Sequence, residues 1–219
     1  MIAVQHRVTD VRNWFLDLKE AGDYVTDKTG CKMLEVAGAT FLADETAIFG
    51  TVNVDYVERE IEWYKSMSRN VNDIRGGAPK AWVGCASASG MINSNYGWMV
   101  WSDENHKQYD NVKRELTNNP QSRRANMIYT RPSMWNEYNI DGMSDFVCTN
   151  AVQYLNRDSK LIAIVQMRSN DVVFGYKNDK AWQDHVHKQL ALDLGLELGQ
   201  MVWHAGSLHV YERHMELVK

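Results

Sequence analysis

Apolar residues near the N-terminus fall at the spacing of one helix face: Val11, Trp14, Phe15 and Leu18 stand at i, i+3, i+4 and i+7, with Gly22 as a stop. Thr9 is the expected cap. The stretch "CKMLEVAGATFLAD" predicts strands around a turn at Gly38. "DYVEREIEWYKSMS" returns to helical spacing, with Val57, Ile61 and Tyr64 as its apolar stripe. "GAPKAWVGCASASGMINSNYG" is rich in Gly, Ser and Asn and reads as loop. Ser102 is the expected cap of a third helix bearing Tyr109, Val112 and Leu116. After "NNPQSRR" the pattern changes. "ANMIYTR", "DFVCTNAVQYL" and "KLIAIVQMR" read as strands, the last two joined by the turn "NRDS". "DKAWQDHVHKQLALDLG" is helix with Trp182, Val186 and Leu190 inward, and "GQMVWHAGSLHVYERH" is strand again. The predicted class is α+β, a mixed sheet with packed helices, in one domain over 1–219.

Composition narrows this picture. Of 219 residues 44% are hydrophobic, with eight Trp and three Pro, which suits a sizeable core and not a disordered chain. Net charge is 24 − 28 = −4, which argues against nucleic-acid binding by bulk charge. A phosphate would have to meet a local cluster of Arg and Lys. Cys31, Cys85 and Cys148 are odd in number and show no C-x-x-C spacing, so neither a disulfide framework nor a zinc ribbon is expected. "MIAVQHRVTD" lacks the apolar run of a signal peptide, and no segment reaches the roughly 18 apolar residues of a membrane span. The expectation is a cytoplasmic protein with no membrane partner.

Several residues break the pattern. Glu60 shares the stripe of Val57, Ile61 and Tyr64, where a carboxylate is costly unless paired, neutral or facing a cavity. It reads either as a rim or ion-paired residue or as a catalytic acid/base. Arg123 and Arg124 are either a solvated pair or a phosphate clamp. The polar run Arg168, Ser169, Asn170, Asp171 follows an apolar strand directly; it is an ordinary turn or a dianion site. Asp179 stands before "AWQDHV", where an N-cap role would suffice. His209 and Tyr211 are two apart on a strand and share a face, so both could hold a sugar hydroxyl. Cys148 shares a strand face with Asn150, Val152 and Tyr154. It is packing, or a nucleophile if cations such as Arg123, Arg124 and Arg168 come near. His204, His209 and His214 are spaced five apart, which suits neither a helix face nor strand alternation, so no metal is expected.

Taken in order, "DKTG", "REIEWYKS", "INSNYGW", "NPQSRR", "YTRPSM", "DGMSDFVCTNAVQYL", "MRSNDVVFGYKND" and "GSLHVYERH" resemble the thymidylate synthase superfamily, and within it the bacteriophage deoxycytidylate hydroxymethylases. "RSNDVVFG" and "SLHVY" are the most specific pieces. The resemblance implies a thymidylate synthase-like fold whose sheet face forms a homodimer interface. It implies that Cys148 adds to C6 of a pyrimidine and that C5 then attacks the one-carbon unit of methylenetetrahydrofolate. By position, Glu60 matches the family's proton-managing glutamate. Arg168 and Ser169 match its phosphate-binding pair, and Arg123 and Arg124 match the arginines that reach the partner subunit's phosphate. Lys28 stands at a phosphate-binding arginine, keeping the charge and losing the fork. His209 and Tyr211 match the pair on the sugar 3′-hydroxyl, Asp171 matches a residue near the base and folate, Asn170 beside it is a further candidate for substrate binding, and Trp82 matches a tryptophan of the folate pocket.

Departures from the family set the expected substrate and outcome. Asp179 replaces the asparagine that reads uracil, and a carboxylate can accept from both N4–H₂ and protonated N3 of cytosine. Thr149 replaces the histidine after the cysteine, and Cys85 falls near a second family tryptophan. Both are read as weakening the reductive outcome, so that water and not hydride captures the C5-methylene intermediate. The chain stops at "HMELVK", short of the tail that closes over folate in thymidylate synthases. The expected function is conversion of dCMP to 5-hydroxymethyl-dCMP with release of tetrahydrofolate and no metal. A CMP hydroxymethylase and a methylating synthase share the fold; a non-catalytic nucleotide-binding protein is the reading of another class.

Overall fold

The computed structural model describes residues 2–219. Thirteen helices and strands follow one another as α1 (Val8–Ala21), β1 (Val25–Thr26), β2 (Lys32–Leu42), α2 (Val54–Ser66), α3 (Lys80–Cys85), α4 (Tyr96–Trp101), α5 (Gln108–Asn118), β3 (Asn126–Ile128), α6 (Met134–Glu137), β4 (Thr149–Arg157), β5 (Lys160–Asp171), α7 (Gly175–Leu194) and β6 (Glu197–Tyr211). The six strands have the order β1-β2-β6-β5-β4-β3. β5 and β6 are parallel; the β1–β2, β2–β6 and β3–β4 pairs are antiparallel. The sheet is therefore mixed and the class is α+β, as the sequence predicts. The chain forms two compact units, one up to Val52 and from Tyr154 to Lys219, the other Asn53–Gln153.

In the first unit the long strands follow from β-branched and aromatic runs that alternate between two faces. α1 buries Val8, Val11 and Phe15, with Phe15 edge-on to Phe49. Each such burial contributes about 1.5–3 kcal/mol. The expected cap is shifted. Arg7 holds the extended cap position, the Asp10 carboxylate accepts the Arg7 N–H at 2.7 Å, and the Asp44 carboxylate accepts the Val8 N–H at 3.1 Å. Thr9 lies inside the helix, because Asp44 already fills the need that a threonine cap would meet. The expected turn at Gly38 is absent. β2 runs on through it at φ 69°, keeping one register against β6 on both sides. The turn after β4 is present, with Asp158 and Ser159 both at positive φ, as a two-residue hairpin demands. α7 buries Trp182, Val186 and Leu190 as expected, but it begins at Gly175, so Asp179 sits within it and is not its cap.

The second unit departs further from expectation. The stretch read as loop contains α3 and the first two residues of α4, helices of six residues each, too short for a helical period to show. α4 packs against α2 through Gly97: a Cβ there would lie 1.8 Å from the Tyr64 carbonyl oxygen, and Tyr64 stacks on Tyr96 at 5.3 Å. Glycine is needed for that approach. Ser102 ends α4 and does not begin α5, whose cap is Lys107; Tyr109, Val112 and Leu116 are buried as predicted. α2 is capped by Asn53, whose side chain accepts the Tyr56 N–H at 3.1 Å. Its buried face is Glu60, Trp63 and Tyr64, rotated from the predicted stripe, and Val57 and Ile61 are only half-buried.

Candidate active site

In the second unit α2 carries Glu60 inward, and its side chain is 4% exposed. Two donors converge on one of its oxygens. The Tyr56 hydroxyl donates to Oε1 in a short hydrogen bond, and the Trp82 indole N–H donates to the same atom at 2.9 Å and to the Tyr56 oxygen at 3.0 Å. Tyr56 and Glu60 are four apart and meet along the helix. Trp82 arrives from α3, edge-on to Trp63 at 5.5 Å. Burial pushes the Glu60 carboxyl above the usual range, and the Tyr56 and Trp82 hydrogen bonds oppose it. The carboxyl has hydrogen-bond donors and no charged partner among its hydrogen bonds, and its burial favours the protonated form.

Cys148 is half-buried at a bend immediately before β4, not inside the strand as expected. Thr149 begins the strand fully buried, its hydroxyl donating to the Tyr96 oxygen at 3.0 Å. The approach to Cys148 is fixed by Asp145, whose carboxylate accepts the Asn93 and Ser94 N–H groups at 2.7 Å and the Ser94 hydroxyl at 2.6 Å. That anchor ties "INSN" to the segment ahead of the cysteine. The Cys85 carbonyl accepts the Ser144 N–H at 2.9 Å in the same region. Burial pushes the Cys85 thiol up to about 12, with the Asp145 and Cys148 charges adding to it, so Cys85 stays protonated at neutral pH. Arg123 and Arg124 are exposed on the approach to β3, and Glu115 engages the Arg124 guanidinium at 3.1 Å.

In the first unit the polar run at the end of β5 lies beside the end of β6, with Asp171 opposite His209 and Ser169 opposite Ser207. Arg168 is exposed and Ser169 half-buried. Asn170 is buried, and its amide donates to Asp179 Oδ2 at 2.8 Å. Asp171 holds the turn that leads into α7, Oδ1 accepting the Val173 and Phe174 N–H groups at 2.9 and 2.6 Å. Because α7 begins at Gly175, Asp179 falls about one turn into the helix and turns its carboxylate to Asn170. Gly175 keeps the space between them open: a Cβ there would lie 3.2 Å from Asn170 Nδ2 and 3.8 Å from Asp179 Oδ2. His209 is buried with its ring 5.1 Å from that of Tyr211. Burial and then the Asp27 charge push the Tyr211 hydroxyl up. Lys28 is exposed in the turn Asp27–Gly30, whose Asp27 carboxylate is held low chiefly by the Thr29 hydroxyl. Two buried polar atoms here lack a partner among the described residues, Asn170 Oδ1 and His209 Nδ1. Buried polar atoms are normally satisfied, so the cluster has capacity for a ligand.

Glu60 and Trp82 are thus in contact in one unit, and Asn170, Asp171, Asp179, His209 and Tyr211 are gathered in the other. No group of three His, Cys, Asp or Glu able to hold a metal occurs among the described residues. The sequence reading missed Tyr56, although its i, i+4 relation to Glu60 was visible. It also missed Gly175, whose role depends on where α7 begins.

The thymidylate synthase family model matches residues 13–219. The chain is 54% identical to the deoxycytidylate 5-hydroxymethyltransferase of Enterobacteria phage T4, across all of this chain and 92% of that protein. It is 30% identical to a thymidylate synthase of Corynebacterium aurimucosum, over 91% of this chain and 76% of that one. Among solved structures, thermostable thymidylate synthase A from Bacillus subtilis aligns with a TM-score of 0.71 at 22% identity, over 97% of this chain and 82% of its own.

Proposed function

The chain belongs to the thymidylate synthase family, and from that premise we propose that it is a deoxycytidylate 5-hydroxymethyltransferase acting as a homodimer on dCMP and methylenetetrahydrofolate. The Cys148 thiolate adds to C6 of the cytosine ring, and C5 takes the methylene unit from the folate. Glu60 manages the protons. Loss of the C5 proton expels tetrahydrofolate and leaves an exocyclic methylene, water adds to it, and elimination of Cys148 frees 5-hydroxymethyl-dCMP. Residue chemistry fits this division: a thiol at the start of a strand for covalent addition, and a desolvated carboxyl for proton traffic. Trp82 and Asp171 serve the folate side. Arg168, Ser169 and Lys28 hold the phosphate, Arg123 and Arg124 reach the phosphate of the partner subunit, and His209 and Tyr211 hold the sugar hydroxyl. The 54% identity over the whole chain to the phage T4 enzyme supports the same reading.

The observation that carries the choice of base is the Asn170–Asp179 pair. The Asn170 amide donates to the carboxylate and fixes its direction, and a carboxylate accepts from N4–H₂ and protonated N3 of cytosine. Uracil presents O4 there, an acceptor that the carboxylate repels. Each unmatched buried polar group costs about 1–3 kcal/mol. Asp179→Asn therefore shifts selectivity from dCMP toward dUMP by about 5- to 150-fold, measured as the ratio of kcat/KM values. An unchanged ratio would remove Asp179 from base reading.

A further inference from the structure

We propose that Tyr56 is a positioning residue for Glu60: together with the Trp82 indole its hydroxyl keeps Oε1 as an acceptor and leaves Oε2 as the oxygen that takes up and gives back the proton. The inference rests on the acid/base reading of Glu60 and adds to it which oxygen acts and what fixes the choice.

The geometry is closed on one side. Tyr56 and Trp82 both donate to Oε1, and Trp82 also donates to the Tyr56 oxygen, so carboxylate, phenol and indole form a three-membered ring of hydrogen bonds. A carboxyl proton on Oε1 would need its own acceptor, and both neighbouring heteroatoms are already turned to Oε1 as donors. Protonation at Oε2 leaves both donations intact. Charge does not decide the matter. On α2 the nearest ionisable neighbours of Glu60 are Tyr56 and Arg59, and Arg59 is turned to Asp55 at 3.0 Å and to the Arg75 carbonyl at 2.9 Å. α3 contributes the neutral Trp82, and α4 contributes Tyr96, stacked on Tyr64. Burial disfavours the ionised carboxyl and the two donors favour it, so removing one donor leaves the proton more firmly held.

The test is the pH dependence of kcat/KM for product formation from dCMP and methylenetetrahydrofolate. Tyr56→Phe keeps the ring and deletes the donor. The limb that Glu60→Gln abolishes should move to higher pH by about one unit, the scale of one lost hydrogen bond to an ionised group. Trifluorotyrosine placed at position 56 is a stronger donor and should move the same limb to lower pH, which guards against a Phe variant that folds poorly. Opposite shifts support the inference. A limb that stays in place in either variant overturns it while leaving the acid/base role of Glu60 intact. A profile that Glu60→Gln does not change overturns that role itself.

Discussion

Glu60 on α2 and Asp179 on α7 are both carboxylates in the body of a helix, yet one is buried against a phenol and an indole while the other is half-buried against an amide. Near Glu60, desolvation dominates and the proton is held. At Asp179 the Asn170 amide donates to the carboxylate at 2.8 Å and fixes its direction. Helical position does not separate the two roles, and residue type does not either. What separates them is the partner supplied from elsewhere in each unit: α3 brings Trp82 to Glu60, and the end of β5 brings Asn170 to Asp179. On the proposed assignment, the same side-chain chemistry serves proton transfer in one place and base reading in the other.

The contrast can be broken from the Glu60 side first, where the largest effect is expected. Glu60→Gln removes the proposed proton carrier and should lower kcat by about 10²- to 10⁴-fold in steady-state assays. The same variant has a stability signature. The folded-state affinity of Glu60 for its proton is raised, so below the unfolded-state value both states are protonated and burial carries no charge penalty. As pH rises through the folded-state value the native protein must bury a charge and loses stability. Glu60→Gln should therefore melt higher than the parent at about pH 8, and the gain should vanish below about pH 4. A variant that melts lower at neutral pH would show that the carboxylate is stabilising where it sits.

Smaller effects sharpen the other half. Arg168→Ala deletes a fork that we assign to the phosphate, and dCMP binding should weaken by about 1.5–3 kcal/mol by calorimetry. Unchanged affinity would take Arg168 out of the phosphate site. The least effect belongs to Gly175→Ala, where the new methyl presses on Asn170 and Asp171 at 3.2–3.3 Å. It should reduce dCMP selectivity over dUMP a few-fold, the scale of about 1 kcal/mol of overpacking, with no effect on the pH limb of Glu60. A shift of that limb by Gly175→Ala would contradict the separation of the two roles.

Legibility in the sequence follows the same division. The strands β4, β5 and β6 and the helices α1, α2, α5 and α7 are long enough for their period to appear; in α5 and α7 the residues the spacing marks are buried, while in α2 the buried face is rotated from the marked stripe. α3 and α4 are hidden because six residues make less than two turns, and Gly97 looks like a loop glycine until α2 is seen against it. Gly38 was read as a turn because strand pairing, which overrides its local preference, is not visible in one sequence. Glu60 was legible as an anomaly, since a carboxylate in an apolar stripe is conspicuous. Its partners were not: Tyr56 lies one turn earlier on the same face, and Trp82 lies in the stretch that read as loop. Asp179 was legible only by its register with "RSNDVVFG". That Asn170 holds it depends on α7 starting four residues earlier than the pattern suggests, after a turn that Asp171 holds.

The most direct test of the account is the mass of the product formed from dCMP, methylenetetrahydrofolate and the purified protein. The account predicts a nucleotide heavier than dCMP by one CH₂O unit, formed with tetrahydrofolate and absent when Cys148→Ser replaces the parent. A product heavier by CH₂ alone, accompanied by dihydrofolate, or turnover of dUMP in place of dCMP, would contradict it.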